Sequence, residues 1–579
     1  MSKKPIATQF LVLLFFLSPF IPVAQQTYSE PFAPPLDIPL YLSGTFGELR
    51  PNHFHAGIDI KTQGREGQNV RAIEDGWVSR IKISPGGYGK ALYITHPNGF
   101  VSVYGHLQRY GDSIQSYVKE IQYSRESFEV EIFPNEHELP VKKGDLVAYS
   151  GNTGGSMGPH LHFEIRDEAT QYSLNPLLFT SIKVKDFYRP QILEIAVYPV
   201  DTNSFVNGKQ DTAFLEVTGW GDQHKLKSQR TIKVFGRVSF GIVAHDLMNE
   251  IPNKNGVFKV MLLDDTTQIF GLMLDKLSFS TARYINSLID YGASVETNKR
   301  YIRTQIDTNN LLFNYDQVLS NGIFCFSDTM VHKLTWQVSD AYGNLSQLPF
   351  LVQEDTAVSR FVRREIKKTP YPIQANVPYT IKNELMVLSI PANAFYQSFY
   401  FDFKQLEPDS TKLYPVFQLH NSRVPIQKNL TLSILPDADL LARYDREKLY
   451  LGYSTNNKYY SSAGGKMDHD RMEASIRKLG FYTILVDTKP PVIKPINMAT
   501  SEAGKPLSKI KLSIVDNQTG IGSYRATLNG QWILMEYDAK NNLLFYEIDK
   551  RMKPGENAFE LVVTDNVGNK SIYRKSIKR

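Results

Sequence analysis

Gly-Asn-Thr-Gly-Gly-Ser-Met-Gly-Pro-His-Leu-His-Phe-Glu-Ile, residues 151–165, reads as a glycine-rich loop running into a strand. Leu161, Phe163 and Ile165 alternate with polar residues at the period of two that marks a half-buried β-strand. Successive strand side chains point to opposite faces, so His160, His162 and Glu164 are expected on one face, with Leu161 and Phe163 packed behind. Two imidazoles two residues apart make half of a metal site.

Two upstream stretches can complete it. Residues 52–60, Asn-His-Phe-His-Ala-Gly-Ile-Asp-Ile, offer His55 and Asp59; residues 102–107, Ser-Val-Tyr-Gly-His-Leu, offer His106 at the end of an apolar run. Zinc in hydrolytic sites is typically held by three protein ligands drawn from His and Asp or Glu, with water in the fourth position. Two histidines and one carboxylate meet that requirement and leave the site net positive, which favours a bound hydroxide and polarises a carbonyl.

On these residues the sequence resembles the lysostaphin-type, LytM-like zinc metallopeptidases that cut peptide bonds in bacterial cell walls. The family's ordered signature is His-x-x-x-Asp, a Tyr-Gly-His-Leu-like segment, then His-x-His in a Gly-Pro-His-Leu-His-Phe-Glu context. Here these are His55 to Asp59, Tyr104 to Leu107, and Gly158 to Glu164. Connecting segments are similar too: Gly86-Gly87-Tyr88-Gly89, Ile94-Thr95-His96 with Gly99, and Val141 to Asp145 followed by Gly151 to Gly154. The resemblance covers about Ser43 to Phe179. It implies that His55, Asp59 and His162 ligate one zinc ion, while His106 and His160 stand beside the metal-bound water. Those two would take its proton, stabilise the oxyanion and return a proton to the leaving amine. Glu164 is either an acceptor for a ligand imidazole N–H or a solvated strand residue.

A lone histidine is more often a hydrogen-bonded structural residue than a ligand; the ordered set is what marks these five. His53, His96 and His137 match no family ligand and stay outside the site.

The rest of the chain sets the context. Lys3 and Lys4 precede an apolar run from Phe10 to Phe20, then Pro22-Val23-Ala24-Gln25, which reads as a secretory signal peptide over residues 1–24. No later stretch is long enough to span a bilayer, and no cysteine near the cleavage point offers a lipid anchor. The expectation is an exported protein, periplasmic or associated with the cell envelope. The single Cys325 excludes intramolecular disulfides and thiolate zinc sites, and is expected to be buried and inert. A net charge of +6, from 65 basic and 59 acidic residues, is too mild and too dispersed for nucleic acid.

A length of 579 residues implies several domains. The expected class is mainly β, a LytM-type antiparallel β catalytic domain followed by tandem β-sandwich modules. An extended lead-in, 25–42, precedes the catalytic domain, 43–185, whose strands include Ala72-Ile73, Val78 to Ile83, Ala91 to Thr95 and Phe100 to Tyr104. An insertion at about 110–138 reads as a helix, with Ile114, Tyr117, Val118 and Ile121 at helical spacing, then a strand through Phe128, Val130 and Ile132. It either walls the groove or decorates the surface. Asp186 to Ile192 is echoed by Asp487 to Ile493, and Val338 to Ser346 by Val563 to Ser571; the shared Asp-x-x-Gly-Asn marks a tight hairpin. Two related immunoglobulin-like modules, 186–356 and 487–579, flank a β-rich unit, 357–486. The first carries an insert around 282–307 with a short helix, Met472 to Leu479 is ambiguous between helix and strand, and Asp468-His469-Asp470 reads as a solvated loop.

Two function classes follow from the resemblance. One is a zinc endopeptidase acting on peptide stems or cross-bridges of peptidoglycan, with envelope partners engaged through the β modules. The other is a non-catalytic relative that binds wall or activates amidases; such proteins lack the ligands that His55, Asp59 and His162 supply here.

Overall fold

Seven antiparallel strands line up across the N-terminal third, several of them alternating apolar and polar side chains. They are β1 (Leu42–Gly44), β2 (Ile58–Lys61), β3 (Gly76–Ile83), β4 (Lys90–Thr95), β5 (Phe100–Gly105), β6 (Val130–Ile132) and β7 (His160–Asp167), in the spatial order β1–β2–β7–β5–β4–β3–β6. This computed structural model describes residues 27–228, 230–365, 367–408, 412–498 and 508–579; the expected signal peptide lies outside them. One face of the sheet packs Ile58, Ile60, Ile81, Leu92, Tyr104, Leu161 and Phe163 into the main core. The other carries Ala91, Tyr93, Val101 and Val103 and, at its centre, the candidate site.

The strand expected at Ala72-Ile73 lies just earlier, at Asn69–Arg71, paired with Leu146–Tyr149 in a small second sheet. Ala72 and Ile73 follow it as fully buried coil. The lead-in joins the same core: Phe32 packs against Phe100 and Phe179, and Leu36 is buried.

The insertion is helix α1 (Asp112–Ser124) followed by β6. Ile114 and Val118 are buried, and β6 pairs with β3 at the edge of the sheet farthest from β1. It therefore does not wall the site. That wall comes from the next module, because Ser173 and Leu174 pair with Leu277 and Lys276 and bring the chain after Leu277 alongside the cleft. Phe46 and Phe54 of the N-terminal domain are buried with Leu274 and Leu277 in one core.

That module contains β8 (Gln191–Pro199), β9 (Arg237–Met248), β10 (Val331–Ser339) and β11 (Leu345–Glu354), part of a thirteen-strand sheet around Ile195, Phe240 and the fully buried Trp336. Its insert forms helical turns Ile285–Leu288 and Tyr291–Thr297. Next come two five-stranded sheets around Leu388, Phe401, Leu432 and Ile484, in which Arg471–Ile476 is a strand. Last is a sandwich of two four-stranded sheets, β12 (Val492–Asn497) and β13 (Lys509–Val515) in one, β14 (Glu556–Asp565) and β15 (Lys570–Lys578) in the other. The chain is mainly β throughout.

Cys325 is exposed, contrary to the sequence expectation. It sits on the short strand Phe324–Cys325 paired with Arg237 and Val238, where alternation turns Phe324 towards Phe240 and the thiol outward. Asp468, His469 and Asp470 form an exposed hairpin turn.

Candidate metal centre

His55 and His162 stand 107 residues apart in the chain, yet His55 Nε2 lies 3.0 Å from His162 Nδ1. The sheet makes this meeting. His162 on β7 is in register with Asp59 on β2 at one side and Gly105 on β5 at the other, so Asp59 faces the same way as the imidazole. His55 follows the short strand His53–Phe54 and drops into the same space. Asp59 Oδ1 is 3.0 Å from His55 Nε2 and 2.9 Å from His162 Nδ1.

Each ring's remaining nitrogen is already committed. His55 Nδ1–H donates to the Thr45 carbonyl at 2.8 Å, and His162 Nε2–H donates to Glu164 Oε1 at 2.8 Å. In the neutral rings the two nitrogens that face each other are therefore both lone pairs, joined by a carboxylate oxygen with no hydrogen to share. Three buried acceptors converging in this way fit a cation, and the donor set of two imidazoles and one carboxylate suits zinc.

The carboxylates are braced. Arg50 Nη2 holds Asp59 Oδ2 at 2.6 Å and Glu48 Oε2 at 3.2 Å, which leaves Asp59 Oδ1 turned towards the histidines. Glu164 is fully buried, accepts from Arg166 Nε at 2.7 Å and takes the Tyr88 hydroxyl hydrogen bond; it is an imidazole acceptor and not a solvated residue. Burial alone would raise both acids, but His55, His160 and His162 hold Asp59 well below the usual carboxylate range. Burial likewise opposes ionisation of Glu164, yet Arg166 and His162 bring it down to about 2. For His162, hydrogen bonds to Asp59 and Glu164 outweigh burial and lift it to about 9, so a second proton at Nδ1 competes with a metal for that nitrogen.

His106 and His160 flank the cluster, their ring centroids 4.7 Å apart. His106, at φ +58°, donates Nδ1–H to the Thr153 carbonyl at 2.8 Å, which leaves Nε2 on the opposite side of the ring. Burial, reinforced by His162 and His160, pushes it down to about 3. His160 donates Nδ1–H to the Gly158 carbonyl at 2.9 Å, and its Nε2 lies 3.4 Å from Asp59 Oδ1.

The glycine-rich connectors explain how these rings are held. Gly155 N–H donates to the Gly87 carbonyl, and a Cβ on Gly154, at φ +70°, would stand 2.3 Å from the Gly89 nitrogen. Only glycine lets the two loops approach so closely. One loop thus carries Tyr88 to Glu164, and the other carries Thr153 to His106.

His53 is exposed, His137 is at the surface, and His96 is buried but bonded to Asp75 O and Ser102 Oγ. A cleft of about 360 Å3 opens over the cluster, lined by Arg50, His55, Tyr88, His106, His162 and, from the following module, Phe279. Sequence reasoning missed Arg50, which lies in no motif, and Phe279, which arrives from another domain. Tyr88 stood within a recognised connector, without a role.

Residues 53–123 and 134–176 match Peptidase family M23, and residues 370–487 match a Zu5-like domain. The chain is 33% identical over 153 residues to an uncharacterized metalloprotease of Haemophilus influenzae, covering 26% of this chain and 25% of that one. It is 33% identical over 112 residues to the DD-carboxypeptidase/endopeptidase Mpg of Neisseria meningitidis, covering 19% and 20% respectively. It thus spans about a quarter or less of these relatives' lengths. Among solved structures, the catalytic domain of the prophage-encoded M23 protein EnpA from Enterococcus faecalis is matched at 26% identity and TM-score 0.19, over 25% of this chain and 95% of that one. The N-terminal part of the chain is a peptidase family M23 domain of the LytM type. A Zu5-like domain follows it further along the chain.

Proposed function

We propose that this chain is an exported zinc metalloendopeptidase that hydrolyses peptide bonds in bacterial peptidoglycan. The observation that carries the reading is the meeting of His55 Nε2, Asp59 Oδ1 and His162 Nδ1, with the outer nitrogen of each imidazole held by an acceptor so that, in the neutral rings, the facing nitrogens are lone pairs. His55, Asp59 and His162 would hold the zinc, which when bound supplies a Lewis acid for a peptide carbonyl and acidifies a water.

The remaining work falls to the protein. Glu164, itself pinned by Arg166 and Tyr88, fixes the His162 ring, and the Thr45 carbonyl fixes His55. His106 keeps its Nδ1–H on the Thr153 carbonyl, which leaves the Nε2 lone pair to accept a proton from the attacking water. His160, with its Nδ1 on the Gly158 carbonyl, presents Nε2 on the Asp59 side, and between them the two histidines return to the leaving amine the proton taken from the water. The cleft wall at Phe279 gives an extended peptide an apolar surface and keeps bulk water from one side. The family match and the similarity to the DD-carboxypeptidase/endopeptidase of Neisseria favour a wall peptide as substrate. No helix among the described residues is long and apolar enough to cross a membrane.

The test is metal analysis and muropeptide digestion by the full chain. One zinc per chain and new amine termini by mass spectrometry are expected. His162→Ala should lose both, and His106→Ala should keep the zinc and lose turnover. Stoichiometric zinc with unchanged muropeptides would sink the hydrolase reading.

A further inference from the structure

Asp186, Asp246 and Asp340 each bring one carboxylate oxygen to within 4.8 Å of the others. They come from the chain ahead of β8, from β9, and from the turn after β10, and are 6, 1 and 3% exposed. Together they line a cavity of about 10 Å3, closed by Thr45, Asn175 and Leu177 of the N-terminal domain and by Gly256 and Phe258. That space admits one water-sized sphere.

Their hydrogen bonding is incomplete. Asp340 is satisfied by the Tyr342 and Asn344 amides and by Asn344 Nδ2 at 2.6 Å. Asp186 Oδ2 and Asp246 Oδ1 have no partner. Asn255, the register neighbour of Asp246 and so on the same sheet face, is 3% exposed and leaves both its Oδ1 and its Nδ2 unpartnered. The charged groups that act on Asp246 are Asp186 and Asp340, with no cation among them. Orphaned oxygens on mutually repelling, buried carboxylates call for a positive charge between them.

The same geometry recurs one module further on. Asp487 precedes Val492 as Asp186 precedes Gln191, by five residues. Asp246 follows His245, the partner of Gln191, and Asp516 follows Val515, the partner of Val492. Asp340 and Asp565 each open an Asp-x-x-Gly-Asn turn. In that second cluster neutral donors satisfy the oxygens, Thr519 Oγ1 on Asp487 Oδ2 at 2.7 Å for example. Only the first has buried oxygens without a donor.

We propose that Asp186, Asp246 and Asp340 bind one Ca2+ ion at the joint between the N-terminal domain and the module after it. An oxygen-only donor set selects a hard cation. Mg2+ retains several waters, for which this cavity has no room, whereas Ca2+ takes carboxylates directly at about 2.3–2.6 Å. The ion would brace the ground beneath the metal centre: Thr45, whose carbonyl holds His55, receives the Gly256 amide on its hydroxyl at 2.9 Å, beside Asn255.

The experiment compares the zinc-loaded full chain with Asp246→Asn after calcium is removed on a chelating resin. Ca2+ titration by calorimetry, Tb3+ luminescence sensitised by Tyr342 and melting curves are recorded. The wild type should bind one more equivalent of Ca2+ than Asp246→Asn. Its melting temperature should rise by several degrees in about 1 mM Ca2+, as expected for a ligand held by the folded state alone. In calcium-free buffer Asp246→Asn should melt no lower than the wild type, since one of three repelling charges is gone. Equal Ca2+ equivalents in the two proteins, or a wild-type melt indifferent to Ca2+, would overturn the site. If Asp246→Asn does not fold, Asp186→Asn, which lies outside the strands, serves for the same comparison.

Discussion

Lys540 Nζ, in the last sandwich, lies 2.8 Å from the carbonyl oxygen of Ser156, 384 residues earlier in the chain, and also donates to the Asn152 carbonyl. Those carbonyls belong to the loop that carries His106's acceptor, Thr153, and leads into His160. Nearby, Glu536 pairs with Lys90 at 2.8 Å, both largely buried. On α1, Tyr123 meets Trp532 edge to face and lies under the Arg551 guanidinium, 3.4 Å from the ring centroid. The insertion is thus a dock for the last module, and the docked module steadies the loop that holds His106 and leads into His160.

Lys540→Ala should therefore lower kcat several-fold while leaving KM and zinc content nearly unchanged, because only loop positioning is lost. Glu536→Gln should cost about 2 kcal/mol of stability, as expected when one partner of a largely buried pair is removed. Steady-state kinetics beside thermal melts separates the two effects. A Lys540→Ala enzyme with wild-type kcat would show the contact to be mere packing.

Glu164→Gln should weaken zinc retention about 10–100-fold without unfolding the domain, the range typical for loss of a carboxylate behind a ligand histidine. The amide can still accept from His162 through its oxygen, but it loses the charge opposite Arg166. Competition with a chromophoric chelator measures the change. Undiminished affinity would reduce Glu164 to a core ion pair.

The candidate site was legible because its chemistry is local in sequence even though its assembly is not. His160-x-His162 on an alternating strand fixes which face the imidazoles take, and the sheet register then places Asp59 opposite. Arg50 was invisible because an arginine on a two-residue strand has no periodic signature, and its partner is known only once the chain has folded back. The wall at Phe279 and the clamp at Lys540 depend on how modules dock, which composition and spacing do not encode. Cys325 misled for a related reason. An Ile-Phe-Cys-Phe run reads as core, yet on a two-residue strand alternation puts one of every pair outside.

Gly154→Ala should abolish most activity while the chain remains folded. A methyl there would press on Gly89 N and Gly87 O, both backbone, at a φ of +70° that alanine resists. The local cost is about 1–3 kcal/mol, and its direct effect is to part the Thr153 carbonyl from His106 Nδ1. The check is turnover together with the zinc stoichiometry, which should hold because no ligand touches Gly154.

His420, in the Zu5-like region, should make that region sensitive to mild acid. Its ring sits between Phe399 and Phe401, and its Nδ1 accepts the Asp402 amide at 3.0 Å, so the folded protein holds it neutral. Burial pushes it down to about 4, from an ordinary 6.5. A histidine depressed by folding contributes stability that is fully present above pH 6.5 and is lost as pH falls towards 4, since the unfolded chain binds the proton first. Melting temperature should therefore drop across that window. His420→Asn, which keeps an acceptor and tolerates the local φ of +53° but cannot titrate, should flatten the slope. An unchanged slope in His420→Asn would move the acid sensitivity to other groups.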